Sequence, residues 1–420
     1  MLSTGLSFVL MGVAFLVTTF AYPHVLDFAV RHNVVDNPNA RKLQRVPVPV
    51  MGGTSVMIGL TVACLICFFI VKDYRIVYFL LLLACMYGIG VWDDAKDVSA
   101  YFRFVVELFI VWMMIFFLGL EINDFHGLWG LDEIPDVVSV PISLIGGVGV
   151  INAINLIDGV DGYCSTYGMM ACIVFAIIFY YAGDTAMFTM ALITIGALLP
   201  FFFHNVFGKS SKMFLGDGGS LMLGTMLTLF MFSTLSSHSP CAEIDDEHLS
   251  LVALVLAILA VPVFDTLKVM GYRVFRGRSP FHPDKTHLHH LFIELNYSHL
   301  ATSLIIVTCN LFIIGFLMLG WSLGMSIDWQ VYLVIILAIT FCWVFYFFME
   351  RQHRKNDGEG SPFFQRWTRH ARKTSLTGTP FWILIRKTVD SRLLGGEVSF
   401  QAEEKTVEKQ KAPKLDPRIE

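Results

Sequence analysis

Apolar runs of roughly 18 residues or more recur along this chain of 420 residues, and they leave few folds open. About eleven can be read, near 4–22, 50–71, 76–92, 101–119, 137–155, 163–182, 186–203, 219–236, 249–270, 301–320 and 329–349. A run of that length with few charges matches the hydrocarbon thickness of a bilayer when it coils as an α-helix. Composition agrees: 55% of residues are hydrophobic and only 15% charged, where a soluble domain carries about 25%. The expected fold is therefore all-α, a polytopic integral membrane protein with about 11 transmembrane helices. The first run is too long for a signal-peptide core and lacks a basic leader and a small-x-small cleavage site, so it is expected to be the first membrane helix. The eight cysteines lie mostly inside apolar runs, so Cys64 and Cys67 read as packing rather than a redox pair, and the isolated Cys241 implies no disulfide framework.

The net charge of −4 matters less than where the charges fall. Basic residues follow odd-numbered runs: Arg31, Arg41, Lys42 and Arg45; Lys96 and Arg103; Lys209 and Lys212; Lys268, Arg273, Arg276, Arg278 and Lys285. The loops "EINDFHGLWGLDEIPD" and "SSHSPCAEIDDEHLS" hold no Lys or Arg. The positive-inside rule then places the N-terminus outside, the basic loops in the cytoplasm and, with an odd helix count, the C-terminus inside. Residues 1–350 form the expected membrane catalytic domain. Residues 351–396 form a basic and aromatic cytoplasmic tail suited to the inner leaflet, and the charged residues 397–420 are expected to be disordered. No internal repeat is visible, which weakens an inverted-repeat transporter reading.

The dense polar clusters all fall on the basic side. "INAINLIDGVDG" (151–162) spaces Asn152, Asn155, Asp158 and Asp161 at three-residue intervals, with glycines behind both aspartates. Neighbouring members of such a run share a helix face. Asparagines can glue membrane helices, but two Asp-Gly steps would be a costly glue in hydrocarbon, so a polar site is favoured. "WDDAKD" brings Asp93, Asp94 and Asp97; adjacent carboxylates serve as cation ligands or as a base, or simply end a helix in water. In "FLGDGGS" the glycines let backbone approach a phosphate at a helix start, and Asp217 suits a phosphate bridged by Mg²⁺. "HPDKTHLHH" carries His282, His287, His289 and His290 among Arg273, Arg276, Arg278 and Lys285, a setting that suits an anion better than zinc. Together these features point to phosphoryl chemistry on a soluble diphosphate at a membrane, with a lipid phosphate as second substrate.

In order, "RKLQRVPVPVMGG", "WDDAKD", "NAINLIDGVDG", "FLGDGGSLMLG" and "SPFHPDKTHLHHLF" resemble the polyprenyl-phosphate N-acetylhexosamine-1-phosphate transferase family over about residues 25–300. The branch they are most similar to is the bacterial undecaprenyl-phosphate N-acetylglucosamine-1-phosphate transferases. The resemblance implies transfer of a sugar 1-phosphate from a UDP-N-acetylhexosamine to undecaprenyl phosphate, with Mg²⁺ (Mn²⁺ as substitute) and release of UMP. It implies catalytic roles for Asp93 and Asp94, one of them the base, and for Asp158 and Asp161 near the nucleotide and sugar. Asp217 and Asn155 would hold the metal. Nucleotide and sugar contacts would come from Arg45, Asn152, Asn205, Phe214, Arg276, Arg278, His287, His289 and His290. The expected setting is the bacterial inner membrane with the active site on its cytoplasmic face, at the start of O-antigen, capsule or related surface-glycan synthesis. Expected partners are the bilayer and both substrates, with a homodimer compatible and no nucleic acid.

One departure bears on the donor. The muramyl-pentapeptide branch has three consecutive histidines, whereas here Leu288 interrupts the element. That favours a bare N-acetylhexosamine over UDP-MurNAc-pentapeptide, with other UDP-N-acetylhexosamines still open. A single in-line displacement is expected; the rival is a phosphoaspartyl two-step route. An ion-coupled transporter and an interaction scaffold are the non-enzyme alternatives, and the transporter would place its polar groups near the bilayer midplane.

Overall fold

The structure, a computed structural model, describes residues 4–37, 47–96, 98–244, 248–279, 286–355 and 379–391. Helices succeed one another: α1 (Thr4–Arg31), α2 (Gly52–Val71), α3 (Tyr74–Lys96), α4 (Ala100–Leu118), α5 (Asp136–Leu156), α6 (Tyr163–Tyr181), α7 (Thr185–Phe207) and α8 (Gly216–Thr234). They continue as α9 (Leu251–Ile258), α10 (Ala260–Phe275), α11 (Leu288–Glu294), α12 (His299–Ser322), α13 (Ile327–Ile339), α14 (Phe345–Lys355) and α15 (Pro380–Val389). A two-stranded antiparallel pair, β1 (Val35–Asp36) and β2 (Val48–Pro49), sets Val35 opposite Pro49 and Asp36 opposite Val48.

The all-α membrane architecture is confirmed. Among the described residues nine helices are long and apolar enough to cross a bilayer: α1 to α7, α12, and the run Ile327–Arg351 that joins α13 to α14. The α9–α10 pair, bent by 70°, makes a tenth if it is one span. The remaining expected segment is α8, which is helical but less apolar. Its position explains this. Packed against α2, α3, α5 and α6, it buries every residue except Asp217, so helices rather than lipid surround it and Gly, Ser and Thr are tolerated. At Gly90 of α3 an added Cβ would lie 2.4 Å from the Gly218 backbone nitrogen, so the two backbones touch where glycines face each other. On the outside of the bundle, Phe20, Phe69, Phe116 and Ile177 are exposed, as lipid-facing side chains are. All eight cysteines are free.

The bend between α9 and α10 frees backbone groups inside an apolar region, where each needs a partner. Asn310 of α12, fully buried, supplies them. Its side-chain oxygen accepts the Val261 N–H at 3.1 Å, and its amide nitrogen donates to the Ala257 and Ile258 carbonyls at 3.1 and 3.2 Å. The Tyr167 hydroxyl donates to the Ile258 carbonyl as well. Replacing Asn310 with Ala is expected to destabilise the fold by about 1–2 kcal/mol. Thermal unfolding in detergent checks this, as a lowered midpoint against wild type.

Candidate active site

The N-terminus of α8 organises the site. Gly216 adopts φ +77°, a left-handed conformation that glycine takes without penalty, and an added Cβ there would sit 2.6 Å from an Asp94 carboxylate oxygen. That carboxylate, at the end of α3, accepts the N–H of Asp217 at 3.1 Å and of Gly218 at 3.3 Å. Asp94 thus satisfies orphan amides of α8 and lies on the positive end of its dipole. Its neighbour Asp93 accepts the Val98 N–H at 2.8 Å and an Arg103 guanidinium N–H at 2.9 Å. The same guanidinium lies 3.5 Å from Glu107 and 3.9 Å from Asp217.

Asp217 points outward, its side chain 38% exposed, and accepts the Asn155 amide at 2.8 Å. Asn155 also donates to Ser220 at 2.9 Å, which leaves its side-chain oxygen without a donor among the described residues. Asp93 lies within hydrogen-bond range of Asp217, two carboxylates side by side. Asp158 completes the acidic group from the turn after α5. No donor reaches its carboxylate among the described residues, and desolvation, reinforced by the charges of Asp217, Asp94 and Asp161, pushes its carboxyl well above the ordinary range. These oxygens fit a hard divalent cation. Mg²⁺ takes one or two carboxylates and completes its shell with water and substrate phosphates. Among the described residues no three His, Cys, Asp or Glu side chains close around one point, so a fully protein-made cage is not what the site offers.

Asp161 faces a different environment. Lys212 lies 2.6 Å and His299 2.8 Å from one of its oxygens. Burial opposes its ionisation, but these contacts outweigh burial and hold the carboxyl below the usual range. Lys212 also stands 5.5 Å from the centre of the Phe214 ring, which is half-buried with its backbone tied to Pro49 and Gly52. Asn205 is buried behind this group, accepting the Gly162 N–H at 2.7 Å and donating to the Met213 carbonyl at 2.9 Å. Both ends of Asn205 are engaged, so it shapes the loops. Asn152 likewise turns away, donating to Glu107 and to the Val148 carbonyl.

The histidine element packs against the Asp158 turn, with the His289 Nε2 edge next to Gly159. His287 stacks parallel to His289 at 5.6 Å between ring centres. Its Nδ1 lies 2.9 Å from Asp265, while its Nε2 is buried without a partner among the described residues. Asp265 in turn accepts Lys268 at 2.6 Å and the Leu288 N–H at 3.1 Å, a buried ion pair that fixes the start of α11. Burial, together with the neighbouring His290 and His287, holds His289 well below the ordinary imidazole range. It therefore offers a neutral N–H rather than a positive charge, which narrows the anion reading of this element. His290 sits in the same cluster, 4.3 Å from His289 between ring centres. Arg276 and Arg278 are exposed past the end of α10, Arg276 lying 4.2 Å over the Tyr272 ring. Arg45, Asp97 and His282 lie outside the described residues.

The carboxylates, Asn155, Phe214 and the histidines thus meet at one end of the bundle. Sequence reading missed Arg103, Glu107, Lys212, His299, Asp265 and Lys268 as members of the site. Glu107 and Asp265 had a usable signal, being ionisable residues inside apolar runs. Arg103, Lys212 and Lys268 were legible only as topological charges, and His299 gave no signal.

Comparison with known proteins supports the same reading. The family described as glycosyl transferase family 4 matches residues 76–235, which carry the Asp93–Asp94, Asn155–Asp161 and Asp217 motifs. The undecaprenyl-phosphate alpha-N-acetylglucosaminyl 1-phosphate transferase of Escherichia coli O157:H7 is 28% identical over 295 residues, covering 68% of this chain and 76% of that protein. The protein of the same name from Yersinia pestis is 26% identical over 323 residues, covering 74% and 83%. That from Haemophilus influenzae is 29% identical over 276 residues, covering 62% and 72%. The motif order, the helical membrane architecture and these matches agree: residues 76–235 match glycosyl transferase family 4, and the similarities together support a polyprenyl-phosphate phosphoglycosyltransferase.

Proposed function

We propose that the protein transfers N-acetylglucosamine 1-phosphate from UDP-N-acetylglucosamine to undecaprenyl phosphate, giving undecaprenyl-diphospho-N-acetylglucosamine and UMP. The observation that carries this reading is Asp217, the single unburied residue of α8, set beside Asp93 and Asn155 at a helix N-terminus. Asp94 already takes the first amides of that terminus, so the acidic group needs a cation before a diphosphate can approach. The names of the relatives supply the substrates by analogy. The setting is the bacterial inner membrane, with the site on the cytoplasmic face where the basic loops are expected.

In this mechanism a phosphate oxygen of the lipid acceptor attacks the β-phosphorus of the donor. A carboxylate of the Asp93–Asp94 pair takes the acceptor's proton. The new bond joins the acceptor oxygen to the β-phosphorus, and the bond from that phosphorus to the bridging oxygen breaks. The electron pair leaves on UMP. The Asp217 carboxylate and the Asn155 side-chain oxygen would hold Mg²⁺, or Mn²⁺ in its place, whose charge would offset that of the diphosphate. Phe214 presents a ring face to uracil, with Lys212 and Asp161 fixing that wall. His287 and His289 offer imidazole nitrogens to the diphosphate or sugar, and Arg276 and Arg278 add positive charge at the entrance. Arg103 offsets part of the repulsion between Asp93 and Asp217.

A donor panel with mass measurement of the lipid product tests the proposal. UDP-N-acetylglucosamine is expected to yield the diphospholipid and equimolar UMP, and UDP-MurNAc-pentapeptide neither, because Leu288 breaks the histidine run. Equal turnover of both donors would move the protein to the peptidoglycan branch. A lipid product from neither, under conditions that support a related enzyme, would remove the proposal.

A further inference from the structure

We infer that α15, which lies far beyond the family-matched residues 76–235, is a working part of the donor site, and that Asp390 at its end is a positioning residue for the α7–α8 loop. This rests on the reading of that loop, through Phe214 and Lys212, as one wall of the nucleotide site.

The loop between Phe207 and Gly216 is held in two halves. Its second half is pinned by the bundle: Phe214 N–H donates to the Pro49 carbonyl, and Gly52 and Gly53 N–H donate to the Phe214 and Leu215 carbonyls, each at 2.8 Å. Its first half depends on Asp390. One carboxylate accepts the Lys209 N–H at 3.2 Å, the Ser211 N–H at 3.1 Å and the Ser211 hydroxyl at 2.9 Å. Ser211 is gripped from the other side too. The Tyr22 hydroxyl donates to its carbonyl at 2.9 Å, and His204 Nδ1 lies 3.0 Å from its hydroxyl. The next residue along the chain is Lys212, the ion-pair partner of Asp161.

Helix α15 is seated well enough to do this. Trp382 and Val389 are buried on it, and the Trp382 ring centre lies 4.5 Å from that of Phe207 at the end of α7. Thr379 caps its first turn by accepting the Trp382 N–H at 3.2 Å. Burial opposes ionisation of Asp390, yet the hydrogen bonds from Ser211 and the loop amides outweigh it and hold the carboxyl below the ordinary range. A charged acceptor shared by two amides and a hydroxyl makes a strong anchor. Removing it frees the Lys209 and Ser211 amides immediately before Lys212, so the disturbance reaches Asp161 and Phe214 while the Asp94–α8 contact is untouched.

The experiment uses the full-length protein in detergent, with donor and acceptor varied separately. Asp390→Ala is expected to raise the KM for UDP-N-acetylglucosamine about fivefold or more. The KM for undecaprenyl phosphate should stay within about twofold, because the proposed function assigns this loop to the donor nucleotide. Asp390→Asn keeps an acceptor oxygen and should recover most of the loss. Trp382→Ala loosens the same helix through a different contact and should move the donor KM in the same direction. Hydrogen exchange gives a readout independent of activity: in Asp390→Ala the segment 208–212 should exchange faster, with α8 unchanged. Donor KM values near wild type in both variants, equal rises for donor and acceptor, or unchanged exchange in 208–212 would each overturn the inference. Should the wild type prove unable to use any UDP-sugar, the exchange result still decides whether Asp390 holds the loop.

Discussion

The contact between Asp94 and the first amides of α8 is where the demands on this chain converge. A helix that starts inside a bundle leaves N–H groups unsatisfied, and in apolar surroundings each must find an acceptor. Asp94 provides one from α3, and the glycines at 90, 216 and 218 allow the approach that this requires. With that end fixed, α8 can be buried along its length while Asp217 alone emerges. The placement of the site and the packing of the bundle are the same event: shift α3 against α8 and Asp217 moves with it.

Such an arrangement concentrates negative charge. Asp93, Asp94, Asp158, Asp217 and Glu107 share a small volume, and Arg103 is the cation in direct contact with three of them, at 2.9, 3.5 and 3.9 Å. Like charges at these separations repel unless a cation joins them. Asp158 has no donor among the described residues, and burial together with the charges of Asp217, Asp94 and Asp161 pushes its carboxyl well above the ordinary range. Asp161 shows the opposite design. Paired with Lys212 and His299, it is a settled ion pair that braces the turn rather than a group awaiting a ligand. Two aspartates three residues apart in one motif thus do different work.

The sequence revealed the membrane class, because apolar runs encode a helix directly, and it revealed Asp93, Asp94, Asn155, Asp158 and Asp217, because dense polar motifs at run ends are rare. It did not separate facing from supporting residues. Asn152 and Asn155 look alike in the motif, yet Asn152 turns to Glu107 and Asn155 to Asp217, a difference set by which neighbouring helix each meets. The Asp265–Lys268–His287 group was hidden for the same reason: His287 lies 22 residues from Asp265. The 219–236 run read as one more membrane-spanning helix, and its place as the shielded centre was not legible, since hydropathy reports composition and not neighbours. The clamp from Asp390 spans 179 residues and had no local trace.

The claim on which the account turns is that the end of α8 is a divalent-cation site built from Asp217. Electron paramagnetic resonance of Mn²⁺ titrated into the purified protein tests it without requiring turnover. The account predicts a single site in the wild type from which Mg²⁺ displaces Mn²⁺, tightened by UDP-N-acetylglucosamine, and its loss in Asp217→Asn with the unfolding midpoint preserved. Mn²⁺ binding of the same stoichiometry and affinity in Asp217→Asn would contradict it.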